Sequence, residues 1–418
     1  MSLINVNDVC DFVNEKTFDD IKGFSKMLYV KEQNNLYLLA NRNKIEEHDD
    51  GLNEGTFTDD VVRRQGTFTD DVVRRQGTFT DDVVRRQGTF TDDVVRRQGI
   101  KKQANGIIFE KDTNKIVAMC YPQIEDVKSA EELNEIISNK NMSIEYCEDG
   151  TMIRLYNYNN EWFTSTTKCI DASISFWSST KSFNELFWEI FDKNDLLDLD
   201  KNSTYFFILL HRENRIVVKH KKNSLIYISK IDNNNHIEDD TFIFRNNLNI
   251  IRKEYIDNDK FISIIKSNEP FDLSNKRGLI IRIRNVEGIS SVYKIDFESY
   301  KIIKNIRGNV PEIRIRYIEL LNKPESLDLL EKIYKEYQFT FAFIKASILK
   351  LVKTIHRLYI NSHVKHEIKV EEDHIYYRTL RQLHAQYKNT NSPIRFEDVY
   401  NKVINLDKHV IKRFLNWM

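Results

Sequence analysis

Glycine and proline are scarce here, 12 and 5 in 418 residues, while Asn, Ile, Lys and Tyr are abundant. That bias marks an AT-rich coding sequence rather than a fold. Cysteine is scarcer still. Cys10, Cys120, Cys147 and Cys169 lie far apart, with no CxxC and no Cys/His cluster, which argues against a structural zinc site. Free thiols of this kind fit a reducing cytosol. No run of 18 apolar residues occurs, so no membrane span is expected. The opening MSLINVNDVCDFVNEK has acids inside its apolar run and does not read as a signal peptide. Net charge is also missing: 63 basic residues balance 63 acidic ones, so no global field draws the chain to nucleic acid and any such site is a local patch. There is no phosphate-binding Gly-Lys-Ser/Thr loop, no Gly-x-Ser-x-Gly and no HExxH. His363 and His366 form an HxxH without a third ligand, which is no metal site by itself.

What is present begins with GTFTDDVVRRQ, repeated four times without a substitution from Gly55 to Gln98. Identity at this level points to recent tandem duplication. Each unit reads as a short helical turn, with Thr58 capping, Asp59 and Asp60 at the positive end, and Arg63 and Arg64 at the negative end. A surface loop is the other reading. One Phe and two Val per unit are too thin a core for a stacked solenoid. Charges cancel within each unit, so the array is not a basic tract.

On either side the chain alternates as strands. FSKMLYVKEQNNLYLLANRN makes a hairpin at Gln33-Asn34-Asn35. NGIIFEKDTNKIVAMCYPQ makes another at Asp112-Thr113-Asn114, and MIRLYNYNNEWFTST a third at Asn159-Asn160. STYFFILLHRENRIVVKHKKNSLIYISKI predicts three strands, and RGLIIRIRNVEGISSVYKIDF two more. Helices are expected in EDVKSAEELNEIISNK and, capped by Ser182, in SFNELFWEIF. These patterns predict an α+β, antiparallel-rich core of about 300 residues. From Pro311 the period becomes helical. Ile344, Ile348, Leu351, Val352, Ile355 and Tyr359 share a face, as do Tyr376, Leu380, Leu383 and Tyr387, then Val399 with Val403, then Val410, Phe414 and Trp417. This all-α C-terminal domain holds 19 Lys and Arg against 13 Asp and Glu. The expected organisation is residues 1–54 as the N-terminal part of the core, 55–98 as an inserted array, 99–310 as the main core and 311–418 as the helical domain.

Between residues 99 and 310 the order of motifs resembles the phage-type RNA ligase family of covalent nucleotidyltransferases. NGIIFE is similar to the family's Arg-Gly-Ile-Ile-Phe hairpin. YCEDGTMIRLYNY stands where Lys-x-Asp-Gly supplies the nucleophile, and Asn214-Arg-Ile-Val217 resembles the end of the third motif. RGLIIRI stands where a Glu-Gly opens a strand, and VYKIDF where Lys-x-Lys lies. The resemblance implies an antiparallel-rich nucleotidyltransferase core. In an active member it implies a lysine amine that attacks the α-phosphate of ATP, with Mg²⁺ and RNA as further partners.

The key positions depart from that pattern. Cys147 stands at the nucleophile, Ile208 at the third-motif carboxylate, Arg277 at the Glu of Glu-Gly, Asp296 at the second lysine of Lys-x-Lys, and Asn105 at the arginine of the first hairpin. Cys147 reads as an apolar filler on a strand, its thiolate disfavoured by Glu148 and Asp149. The residues expected to bind nucleotide or RNA are Asp149 and Gly150, which shape the turn after the nucleophile position, and Arg154, Arg215, Lys219, Arg282 and Lys294, each of which equally suits a solvated strand position. Tyr156, Tyr158 and Trp162 suit base stacking or a sheet core equally.

Three readings stay open: a degenerate ligase-like protein that binds RNA or nucleotide; an active ATP-dependent RNA ligase using another lysine, such as Lys294; and a scaffold for protein contacts alone. The implied setting is cytoplasmic, the host cytoplasm if the source is a large DNA virus.

Overall fold

The computed structural model describes residues 2–3, 5–25, 27–41, 97–139, 141–244, 247–266, 276–284 and 290–416. Residues 55–96 of the tandem array and Trp417 lie outside them. The chain divides into two compact units, Met1–Tyr300 and Lys301–Met418.

Among the described residues the first unit is built on three sheets. The largest runs Ser2–Leu3, Ile237–Asp239, Ser224–Asp232, Ser203–Leu210, Thr151–Tyr158 and Glu161–Ser165, with Ile250–Arg252 added in parallel to Ser224–Asp232. A second runs Tyr255–Ile256, Met142–Cys147, Gly278–Arg284, Ser290–Asp296 and Ile124–Asp126. A third is the meander Leu28–Gln33, Leu36–Asn41, Asn105–Glu110 and Ile116–Ala118. Nearly every pairing is antiparallel.

The three expected hairpins turn where an asparagine accepts a left-handed backbone: Asn34 at φ 53°, Asn114 at 53°, and Asn159 and Asn160 at 51° and 65°. Asparagine tolerates that region far better than a branched residue. Helices then cover the sheets. Ser182 caps Phe183–Trp188, its own N–H donating in return to the Glu185 carboxylate, and Leu186 and Phe187 pack on Tyr205 and Phe207 of the large sheet. Ser129 caps Ala130–Ile137, whose Ile136 packs on Ile144, Leu279 and Ile281 of the second sheet.

One expected strand is missing. Residues 215–223 carry β-branched Ile216, Val217 and Val218, yet form no ladder between Ser203–Leu210 and Ser224–Asp232. Those two strands pair directly with each other. The backbone N–H groups of Val217 and Val218 donate instead to Asp149 Oδ2, each at 2.8 Å, so the amides a ladder would need are already engaged.

Among the described residues the second unit contains helices and no strand: Ile313–Glu319, Pro324–Ile333, Gln338–Tyr359, Tyr377–Thr390, Phe396–Ile404 and Lys408–Phe414. The longest buries Phe341, Ile344, Ile348, Leu351, Val352, Ile355 and Tyr359. Leu380 and Leu383 are buried, as are Val399 and Val403. In the last helix Ile411, rather than Val410, joins Phe414 inside.

Candidate nucleotide site

The register of the second sheet gathers residues that stand far apart in sequence. Gly278 lies between Cys147 on one neighbouring strand and Asp296 on the other, and Ile280 lies between Glu145 and Lys294. Glycine is required at 278, since a Cβ there would sit 2.0 Å from the Ile295 carbonyl oxygen. Gly150 has the same role against the large sheet, where a Cβ would meet Ile208 Cγ2 and the Leu209 carbonyl at 2.6 Å. That close approach sets the turn after Cys147 directly against Ile208, whose ladder partner is Met152.

A cavity of about 200 Å³ opens between the two sheets. Its apolar wall comprises Cys147, Met152, Ile208, Ile226, Ile228 and Ile280, and its charged lining is Glu145, Glu148, Lys253, Glu254, Arg277 and Lys294. Cys147, Ile208, Arg277 and Lys294, singled out by motif order alone, thus face one space.

The electrostatics of that space are closed on themselves. Arg277 Nε and Nη2 donate to the two oxygens of Asp296 at 2.8 and 3.1 Å, a bidentate fork. Lys294 Nζ lies 3.0 Å from Asp126 and 3.6 Å from Asp296. Lys253 Nζ lies 3.3 Å from Glu145 and 3.2 Å from Asp240, and Lys276 pairs with Glu148 and Glu254. Four cations therefore meet six carboxylates. Burial opposes the charge on Arg277, but the bonds and charge of Asp296, together with Tyr300 and Cys147, outweigh it and raise its pKa. At Lys253 burial is likewise outweighed, chiefly by Glu145, so its pKa is also raised. The Cys147 thiol moves the other way from a nucleophile. Burial pushes it up to about 12 despite the Arg277 charge nearby, so it stays protonated at neutral pH.

Of the seven expected binding residues, Gly150 and Lys294 line the cavity. Asp149 is buried and turned into the fold. Its Oδ1 accepts the Tyr300 hydroxyl at 2.6 Å, its Oδ2 accepts the two valine amides, and its carbonyl lies 2.7 Å from His220 Nε2. Arg154 is buried and donates to Ser165 Oγ and to the carbonyls of Gly106, Met119 and Thr166, which ties the meander to the large sheet. Arg282 is also buried, paired with Glu238 at 2.6 Å and bonded to the Tyr121 hydroxyl. Arg215 Nε donates to the Val217 carbonyl, and Lys219 is exposed. Tyr156 is buried against Phe163, and Trp162 packs toward Tyr205, so both belong to the core. His363 stacks on Tyr359 and lies beside His384, their ring centroids 5.1 and 4.8 Å from its own.

Sequence reasoning missed Lys253, Glu145, Glu254 and Tyr300, which carry no motif and arrive by long-range pairing. It named Arg277 and Asp296 as separate losses. Their opposite signs, at positions where the resemblance expects Glu and Lys, were the available signal of an ion pair with its ends exchanged.

A second polar cluster lies elsewhere on this unit. Glu189, His211 and Glu213 converge within metal-binding distance, but the Lys181 ammonium already bridges the two carboxylates at 2.7 and 3.0 Å.

No family model matches the chain. It is 23% identical over 318 residues to the immediate-early protein ICP-46 homolog of Invertebrate iridescent virus 6, spanning 69% of each chain. It is 25% identical over 276 residues to the homolog of the same name from Invertebrate iridescent virus 3, spanning 62% of this chain and 60% of that one. Among solved structures it is similar to an archaeal ATP-dependent RNA ligase, with TM-score 0.39, 9% identity and coverage of 95% and 97%. It is also similar to a Naegleria gruberi RNA ligase with PPi, with TM-score 0.32, 12% identity and coverage of 44% and 57%.

Proposed function

We propose that this protein is a catalytically degenerate nucleotidyltransferase-like protein, of large-DNA-virus source, that binds RNA or nucleotide without forming a lysyl–nucleotide intermediate. The observation that carries this reading is a buried cysteine, Cys147, in place of a lysine at the nucleophile position of a cavity whose cations are all ion-paired. Phosphoramidate formation needs an unprotonated amine aimed at the α-phosphate, with positive charge left over to offset the charge that develops there. A thiol pushed up to about 12 supplies no such nucleophile.

Mg²⁺ is not suited by the residues present. It favours carboxylate and water oxygens in octahedral array. Ile208 and Arg277 occupy the positions where the resemblance expects acids, and the lining glutamates Glu145 and Glu148 are held by Lys253 and Lys276. The cavity of about 200 Å³ is also smaller than most small-molecule sites, which run to roughly 300–1,000 Å³.

The test is incubation with α-labelled ATP or GTP and Mg²⁺ or Mn²⁺, followed by denaturation. No label is expected on the protein. The Cys147→Lys variant alone is expected to stay unlabelled too, because Ile208 and Arg277 remain. Acid-labile label on the wild-type chain would overturn the reading. One observation favours a second reading: Lys253 and Lys294 both line the cavity, and the Asp126 partner of Lys294 is largely exposed and easily exchanged for solvent. In that reading label appears and is lost in Lys294→Ala or Lys253→Ala.

A further inference from the structure

The Gln338–Tyr359 helix has no Asp or Glu in 22 residues, while Lys345, Lys350, Lys353 and Arg357 give it four basic side chains. Its inner arc is occupied by the buried residues already named, with Phe341 stacked on Tyr317 at 5.0 Å. On the opposite side, steps of four, three, four, three and four residues align Phe339, Phe343, Ala346, Lys350, Lys353 and Arg357 along one stripe. All six are exposed. Phe339 shows 82% of its surface and Phe343 61%, unusual for a residue type normally buried. At 1.5 Å per residue the stripe is ~27 Å long.

We infer that this stripe is a docking track for single-stranded nucleic acid. The exposed Phe339 ring, with Phe343 one helical turn along, gives the stripe an aromatic end suited to unstacked bases, and three cations further along the same line offer contacts to phosphates. The order of the residues separates this partner from others. A helix that lies in a membrane surface segregates apolar and basic residues around its circumference, along its whole length. Here they are segregated end to end on one face, and the other apolar face is used by the unit's own core. A protein groove would need an acidic half matched to an apolar half in the same order; a nucleic-acid strand brings base and phosphate at every step. The inference locates the RNA part of the proposed function but uses none of the cavity's residues.

The experiment is fluorescence anisotropy of labelled oligo(U) RNA with the full-length protein over a range of salt. Phe339→Ala/Phe343→Ala and Lys350→Gln/Lys353→Gln/Arg357→Gln are each expected to weaken binding at least ~10-fold. With three single-strand phosphate contacts removed, the slope of log K against log salt should fall by about 2. A Lys332→Gln/Lys365→Gln/Lys388→Gln variant changes net charge equally at exposed positions elsewhere on the unit, and should cost less than ~3-fold. All substitutions are at exposed positions, and far-UV circular dichroism checks that each variant folds. Unchanged binding in the stripe variants, or equal loss in the control, overturns the inference. So does stripe-dependent binding to phosphatidylserine vesicles, or stripe-dependent self-association, in place of RNA binding. Nucleotide labelling tests the cavity separately, so failure of one reading is visible apart from the other.

Discussion

Arg277 and Asp296 form an ion pair whose charges are the reverse of those the resemblance expects. The resemblance expects a carboxylate and an amine at these two positions, and the chain has a guanidinium and a carboxylate. Reversing both ends preserves an attraction across the Gly278–Asp296 ladder. Arg277→Glu would set two carboxylates together, and Asp296→Lys two cations. Each single change is expected to destabilise the first unit by about 2–4 kcal/mol. The Arg277 side chain retains 20% of its exposure, which keeps the cost below that of a fully buried pair. The double variant Arg277→Glu/Asp296→Lys should recover most of the loss, as read from denaturant midpoints. Additive losses would mean that the fork contributes nothing as a pair. Asp149 is the contrasting case. Its motif is intact, but the carboxylate serves two backbone amides and a tyrosine hydroxyl, so an unchanged motif residue here has a structural part.

The strands and helices that sequence reading found are those whose cause is local. Asn34, Asn114 and Asn159-Asn160 turn the chain by their own backbone preference, and Ser129 and Ser182 start helices with their own side chains. The segment 215–220 misled because its β-branched residues favour strand, while the group that claims its amides, Asp149, lies nearly seventy residues away. The cavity was legible in part for the same reason. Motif order located Cys147, Ile208, Arg277 and Lys294, but nothing near Lys253 in sequence predicts that Glu145 would hold it.

Helix contacts of the second unit carry a pH dependence of the same long-range kind. Glu319, at the end of Ile313–Glu319, accepts from Lys408 Nζ at 2.6 Å and from Arg316 Nη1 at 2.8 Å. Burial raises its pKa, but those two bonds outweigh burial and the net shift is downward. A carboxyl group with a folded pKa below its unfolded one stabilises above the unfolded value, and that stability is lost as pH falls through the folded value. Glu319→Gln should therefore cost about 1–2 kcal/mol at pH 7 and almost nothing near pH 2. Thermal melts at the two pH values check this; an equal loss at both would assign the effect to packing.

The chain as a whole accommodates its tandem array at a favourable point. The strands that flank it, Leu36–Asn41 and Asn105–Glu110, are neighbours in one sheet, with Ala40 opposite Asn105. Their register is set by Leu36, Leu38, Leu39, Ile107 and Ile108, all buried, without reference to what lies between. Doubling a closed loop costs only about 0.6 kcal/mol. Deleting three of the four units should leave the melting temperature within a few degrees; loss of folded protein would show that the array contributes to the core. Because that ladder is indifferent to the length of chain it spans, gain or loss of a whole unit is close to invisible to selection on folding. Replication slippage can then set the copy number by itself, and related genomes are free to differ there in length while agreeing on both sides of it.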